Sequence, residues 1–127
     1  MATKTKRKPP ALTPELLYLL LGDPSDFEAA TAGARAPDLA EALVKLSPDA
    51  GAKVIAALPF DMAVQVLDEP ELALRRSEII QHVPQASVAP LIDAMSSDQQ
   101  ADLFRELPEH DRPRFLRMLD DQTRGAL

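Results

Sequence analysis

Small apolar groups recur about every twelve residues through most of this 127-residue chain. Each group has two adjacent small or apolar residues and a third residue three positions later. The groups are Ala42/Leu43/Leu46, Val54/Ile55/Leu58, Val66/Leu67/Pro70, Ile79/Ile80/Val83, Leu91/Ile92/Met95, Leu103/Phe104/Leu107 and Phe115/Leu116/Leu119. Twelve residues make about 3.3 helical turns, so one continuous helix would rotate each group by about 120° from the last. A single helix therefore cannot bury them together.

Helix breakers follow most of the apolar groups. They are Ser47-Pro48, Pro59, Pro84, Ser96-Ser97, Pro108 and Asp120-Asp121. Proline interrupts a helix because it lacks a backbone donor and clashes with the preceding turn. The pattern predicts an all-α fold in which short helices, in units of about 12 residues, pair as hairpins and stack as a solenoid. We expect around ten helices between about Leu12 and Ala126, and no sheet.

The repeat also predicts the core. Equivalent positions in successive units should be buried, namely Leu43, Ile55, Ile80, Ile92, Phe104 and Leu116. One spacing is 13 residues instead of 12, between the third and fourth groups. This predicts a local irregularity between Pro70 and Val83. We also expect Pro90 and Pro113 to lie in first turns, with Ser87 and Asp111 as caps.

Charge divides the chain into two parts. The first ten residues hold a cluster of four cations, Lys4, Lys6, Arg7 and Lys8. Without these four charges the net charge falls from −6 to −10. We predict a disordered basic tail over residues 1–11 and one helical domain over residues 12–127. The acidic body disfavours nucleic acid as a partner. No apolar run approaches the ~20 residues of a membrane span, so we expect no direct membrane insertion by this chain.

The residue types of an enzyme site are mostly missing. The chain has no cysteine, which excludes disulfides, thiolate zinc sites and cysteine nucleophiles. It has no nucleophile elbow and no phosphate-binding glycine loop. His82 and His110 lack the spacing of zinc ligands, and we expect them at the surface or at helix ends. We therefore expect that the protein is not an enzyme.

Residues 95–108 contain one full unit of the repeat and an acidic row. The serines before Asp98 can cap a helix, and Pro108 must end it. Asp98, Asp102 and Glu106 are four residues apart, so they share a helix face that points away from the apolar one. The row is either a solvated surface with a favourable helix-dipole charge, or a face that offers oxygen ligands to a cation such as Mg2+.

Three stretches carry a family resemblance. Residues 37–43, PDLAEAL, resemble the "ADLAE-L" opening of the cytoplasmic N domain of MgtE-type magnesium transporters. Residues 58–67, LPFDMAVQVL, resemble its "LP-E-A-EVL" segment, and residues 95–108, MSSDQQADLFRELP, resemble its "MSPDDAADLLEELP" segment. Ser97 stands where that last pattern has proline, and Gln99 where it has the second aspartate. The resemblance covers about Pro37 to Leu119 and implies a right-handed superhelix.

The resemblance implies a cytoplasmic, magnesium-sensing regulatory domain of a magnesium transporter or channel in the inner membrane. In that family the N domain precedes two CBS domains and a membrane pore, and Mg2+ between the N and CBS domains holds the pore closed. Asp98, Asp102 and Glu106 are then the expected Mg2+ ligands, on an acidic face that binds the ion weakly and meets a CBS domain. That CBS domain belongs to the same or a partner polypeptide, and the full transporter implies a possible homodimer. We expect this chain to be a fragment or a stand-alone version.

A second function remains open. Flagellar motor switch proteins have similar right-handed layers of helices. On that analogy the chain is a stand-alone helical-repeat module, an adaptor that offers a concave or edge surface to a protein partner.

Overall fold

The computed structural model describes Thr13, Glu15 and residues 21–127. Within this part of the chain the fold is all-α, as predicted, with nine α-helices, one 310 turn and no strand. The helices are α1 (Pro24–Thr31), α2 (Ala36–Val44), α3 (Pro48–Ala57), α4 (Phe60–Leu67), α5 (Ala73–His82), α6 (Gln85–Ala94), α7 (Ser97–Glu106), α8 (Arg112–Met118) and α9 (Asp121–Ala126). The 310 turn is Pro70–Leu72. The predicted basic tail, residues 1–11, lies outside the described residues.

Helix starts coincide with the capping residues of the repeat. The Ser47 hydroxyl accepts a hydrogen bond from the Ala50 N–H (3.2 Å), and the Ser96 hydroxyl accepts one from the Gln99 N–H (3.4 Å). These oxygens satisfy backbone donors that have no partner in a first helical turn. At its other end α7 stops at Glu106, two residues before Pro108. The breakers in the sequence therefore set the helix lengths, as predicted.

Successive helices pack in an alternating order. α2 packs against α4, α3 against α5, α4 against α6, and α5 against α7. From α2 to α7, helices two positions apart in the chain thus lie side by side, as in a stack of helical hairpins. The handedness of the superhelix stays a prediction. None of the helices within the described part of the chain is long and apolar enough to cross a bilayer.

The repeat positions form one continuous core. Leu43, Ile55, Ile80, Ile92 and Phe104 are all buried, which confirms the predicted register. The sixth predicted position, Leu116, is only half-buried, and its neighbour Phe115 is buried instead. The reason is its place in the stack. Within residues 21–127 no helix lies two positions beyond α8 to cover its second apolar side chain.

The predicted irregularity falls at the 310 turn. Pro70, the third residue of its apolar group, is exposed, and Leu72 is fully buried in its place. The turn packs against α2. The unit with the additional residue thus contains a 310 turn, at which the buried position moves along the chain, and this confirms the irregularity.

Of the two prolines expected in first turns, only one is there. Pro113 lies in the first turn of α8, and Asp111 occupies the N-cap position, although its side chain makes no capping hydrogen bond. Pro90 instead lies inside α6, and Ser87 is helical instead of capping. Helix α6 starts earlier because it begins directly after Pro84, whose carbonyl accepts hydrogen bonds from Ser87 and Val88. Pro90 then falls in the second turn, where its missing N–H removes one helical hydrogen bond.

Candidate functional site

Helix α7 places the three predicted ligands along one side of a short, well-anchored helix. Its buried side chains Leu103 and Phe104 join the core. Asp98 and Glu106 are exposed, and Asp102 between them is half-buried. Four residues correspond to a rise of about 6 Å along the helix axis, so neighbouring carboxylates of the row lie within reach of one hydrated ion. The predicted acidic row is therefore present as a surface.

The middle carboxylate of the row has a cation of its own. Asp102 forms an ion pair with Arg105, three residues further along the same helix. The Arg105 side chain is exposed, so solvent screens this pair. Asp98, by contrast, has no ion-pair partner in the part of the chain that the structure describes. Glu106 likewise makes no ion pair within the described ranges, so Asp102 is the member of the row that is already paired.

A second cation lies beneath the acidic row and was missed by sequence reasoning. Arg76, on α5, is fully buried. Its Nη1 donates a hydrogen bond to the Gln99 carbonyl (3.2 Å), and its Nη2 donates one to the Glu69 carbonyl (3.5 Å). Its Nε has no acceptor among the described residues. Arg76 therefore connects α5 with α7 and with the chain that leads into the 310 turn.

The sequence did contain an indication of this burial. Arg76 precedes Ile79 and Ile80 by three and four residues, and these are the buried pair of its unit. At helical spacing the three side chains share one face. The adjacent Arg75 pairs with Glu78 (Nη1–Oε1, 3.5 Å), whereas Arg76 points inward.

The carboxylates around Arg76 compensate its buried charge. Burial lowers the pKa of Arg76, and the negative charges of Glu106, Asp102 and Asp68 oppose this shift. None of these carboxylates is within ion-pair distance of the guanidinium. The guanidinium is therefore held directly by backbone carbonyls, and the acidic side chains act on it over a longer distance.

The carboxyl group of Glu106 is likewise affected by burial and by neighbouring charges. Partial burial raises the pKa of its carboxyl group. The charge of Arg76 opposes the shift, the charge of Asp102 adds to it, and Arg105 again opposes it. Glu106 and Asp102 thus interact with each other as well as with both arginines. Two of the three predicted ligands belong to one electrostatic group with Arg76.

The N-terminus of α7 is fixed from a different layer. Asp68 directly follows α4, and its Oδ1 accepts hydrogen bonds from the backbone N–H and the hydroxyl of Ser96. Ser96 is the cap of α7. The same Asp68 is among the carboxylates that act on Arg76. The acidic row therefore starts from a helix end whose position is set by side chains of two other elements.

The carboxylates of the acidic row are the type of ligand that suits magnesium, but they are too few to complete its coordination. Carboxylate oxygens are the ligands that Mg2+ prefers, and the ion often keeps several of its waters. Among the residues that the structure describes, however, no three His, Asp or Glu side chains lie close enough together to hold one metal ion. The row can therefore contribute one or two ligands to a site and leaves the others to water or to another surface.

Both histidines lie where the sequence predicted. His82 is the last residue of α5, and His110 is exposed in the turn before α8. The His110 Nε2 is 3.6 Å from Asp111 Oδ2. Neither is part of a possible metal cluster within the described ranges.

A shallow apolar groove is the other surface feature of note. Its volume is about 200 Å³, and it is lined by Ile55, Ala56, Leu58, Phe60, Ala63, Ser87, Pro90 and Leu91. Phe60, at the start of α4, is 50% exposed. The lining holds no charged side chain.

Comparison with known proteins gives one family. The family model described as the MgtE intracellular N domain matches residues 34–127. The match runs from α2 to α9 and includes both the acidic row and Arg76. No curated protein matches the chain.

Proposed function

Because this chain belongs to the MgtE intracellular N domain family, we propose that it senses Mg2+ as a regulatory domain of a magnesium transporter or channel. The family is one of transporter regulatory domains and not of enzymes. Magnesium transport and an intracellular position follow from the family. The sensing role, the site and the partner are proposals, and they concern α7.

The observation that carries the proposal is the exposed Asp98 one helical turn from Asp102. Both offer carboxylate oxygens on a helix that is anchored at its cap by Asp68. Asp98 lies in the first turn, where Ser96 satisfies a backbone donor. A magnesium ion can be held there through one carboxylate and several waters, with Asp102 next to it and Glu106 as an outer contributor.

Such a site is weak on its own. Asp102 already pairs with Arg105, and water competes for every remaining position of the ion. We expect dissociation in the millimolar range, which corresponds to about 4 kcal/mol. A weak site is occupied mainly when free magnesium is high, as a sensor of intracellular magnesium requires. The missing ligands would come from an acidic surface of a CBS domain, in the same or a partner polypeptide of a homodimeric inner-membrane transporter.

The test is a magnesium titration of the 127-residue chain, followed by amide chemical shifts at constant ionic strength. Saturable shifts centred on α7 support the site, and the double substitution Asp98→Asn with Asp102→Asn should abolish them. The matched control is Asp49→Asn with Asp61→Asn, which removes two acidic residues from the first turns of α3 and α4. Those shifts should survive in the control.

Equal, non-saturating shifts at all acidic residues would overturn the magnesium site. That result would leave the stand-alone interaction module as the better hypothesis, because the apolar groove beside Phe60 does not depend on a cation.

A further inference from the structure

Arg76 is the one fully buried side chain of the described region that carries a permanent charge. An unpaired charge in a protein interior is costly unless other groups compensate it. Two backbone carbonyls contact the guanidinium, and its Nε lacks an acceptor within the described residues. Its compensation must therefore come in large part from negative side chains at longer range.

Those side chains are largely the proposed magnesium ligands. The charges that act on Arg76 are Glu106, Asp102 and Asp68, and the first two belong to the acidic row of α7. The carbonyl that holds Nη1 belongs to Gln99, the residue that follows Asp98. The buried guanidinium and an ion on the α7 surface would consequently interact with the same carboxylates.

We propose that Arg76 is a built-in counter-cation that sets the magnesium affinity of the α7 face. This inference rests on the proposed function, because it concerns regulation of the same site. Even without a bound ion, the positive charge of Arg76 offsets part of the negative potential that Asp102 and Glu106 create. A divalent ion then has to bind against a fixed positive charge beneath the surface, which keeps the affinity low.

The coupling acts in both directions. If Arg76 weakens magnesium binding, bound magnesium weakens the compensation of Arg76 by the same factor. The buried guanidinium then loses part of its electrostatic support and perturbs the Gln99 and Glu69 carbonyls that it contacts. Occupation of the surface site is in this way transmitted to α5 and to the chain segment before the 310 turn.

The experiment measures magnesium affinity in variants of the full chain. Arg76→Gln and Arg76→Met remove the charge, and Arg76→Lys keeps it. Arg75→Gln is the matched control, since Arg75 is the adjacent residue and its ion pair with Glu78 is at the surface. The neutral variants should bind Mg2+ on the order of tenfold more tightly, the scale of a partly screened Coulomb interaction. Arg76→Lys and Arg75→Gln should stay within about twofold of wild type.

A second readout needs no substitution. The Nε–H of a buried arginine gives its own NMR resonance. The Arg76 Nε–H should move during the magnesium titration with the same midpoint as the α7 amides. The Arg114 Nε–H should not move, since Arg114 lies on α8 and its acidic partner is Asp111, outside the acidic row. If the neutral variants do not fold, this wild-type response decides the matter.

The outcomes separate the two proposals. Tighter binding in the folded neutral variants supports the counter-cation, and where those variants do not fold, a moving Arg76 Nε–H supports it. Saturable binding at α7 with unchanged affinity in folded neutral variants, or a fixed Nε–H where they do not fold, overturns it and leaves the sensing role intact. No saturable response at α7 in wild type or in the folded neutral variants overturns the proposed function, and the inference with it.

Discussion

A single carboxylate oxygen, Asp68 Oδ1, accepts two hydrogen bonds from Ser96, from the backbone nitrogen at 2.9 Å and from the hydroxyl at 3.0 Å. Asp68 directly follows α4, and Ser96 caps α7. A related contact occurs one layer later, where Asp93 Oδ1 accepts a hydrogen bond from the N–H of Asp120, the cap of α9, at 3.4 Å. An acidic side chain near the end of one helix thus anchors the start of the helix three positions along.

Removing the first of these anchors should destabilise the domain. We expect Asp68→Ala to lower the free energy of unfolding by about 1–3 kcal/mol, because two acceptor contacts are lost. Asp93→Ala, which loses one long contact, should cost less than about 1 kcal/mol. Urea unfolding followed by circular dichroism measures both. Equal losses in the two variants would contradict the assignment of a larger role to Asp68.

Two adjacent glutamines on α7 should respond in opposite ways to the same substitution. Gln99 Oε1 is buried and has no hydrogen-bond partner among the described residues, and the carbonyl of the same residue holds Arg76. Gln100 is also buried, but its Nε2 donates to the Ile92 carbonyl at 2.7 Å. Gln99→Glu adds negative charge near the buried guanidinium, whereas Gln100→Glu replaces a donor by a second acceptor.

We therefore expect Gln99→Glu to be neutral or stabilising by up to about 1 kcal/mol at pH 7, and Gln100→Glu to cost more than about 2 kcal/mol. Lowering the pH should recover part of the loss in Gln100→Glu, because the protonated carboxyl group can again donate to Ile92. Urea midpoints at two pH values give both results. A destabilised Gln99→Glu would show that Arg76 needs no further negative charge.

The repeat register can be tested at two equivalent positions. Phe104 is buried in the core of α7, while Leu116 on α8 is only half-buried. We expect Phe104→Ala to cost about 3–5 kcal/mol, the usual range for a central aromatic side chain. Leu116→Ala should fall below the range of about 2–5 kcal/mol that fully buried leucines show. A loss below about 1 kcal/mol for Phe104→Ala would show that the register is wrong.

The fold was predictable because its determinants are local. The apolar pairs, the serine caps and the breaking prolines each act within one unit, so Ser96 and Pro108 could be assigned to the two ends of α7 from sequence alone. Leu116 shows the limit, since its burial depends on whether another layer covers it. Pro90 shows a second limit. The sequence predicted a start of α6 near Ser87, but the helix begins directly after Pro84, so Pro90 falls inside it.

The acidic row was predictable for the same reason, but its electrostatics were not. Asp98, Asp102 and Glu106 follow from helical spacing, and the Arg105 pair lies three residues from Asp102 on the same helix. Arg76 comes from a different helix, and its contacts with the Glu69 and Gln99 carbonyls join positions 7 and 23 residues away in the sequence. A charged residue is normally placed at the surface, and only the packing of α5 against α7 reveals the exception.

The most direct test of the central claim, a cation site on α7, uses Mn2+ in place of Mg2+. Both ions take carboxylate and water ligands, and Mn2+ is paramagnetic, so it broadens the amide resonances nearest to it. We expect sub-stoichiometric Mn2+ to broaden the amides around Asp98 and Asp102 first, and excess Mg2+ to restore them. Broadening that centres on another acidic segment, such as Glu69 and Glu71, or that excess Mg2+ does not reverse, would contradict a magnesium-sensing face on this helix.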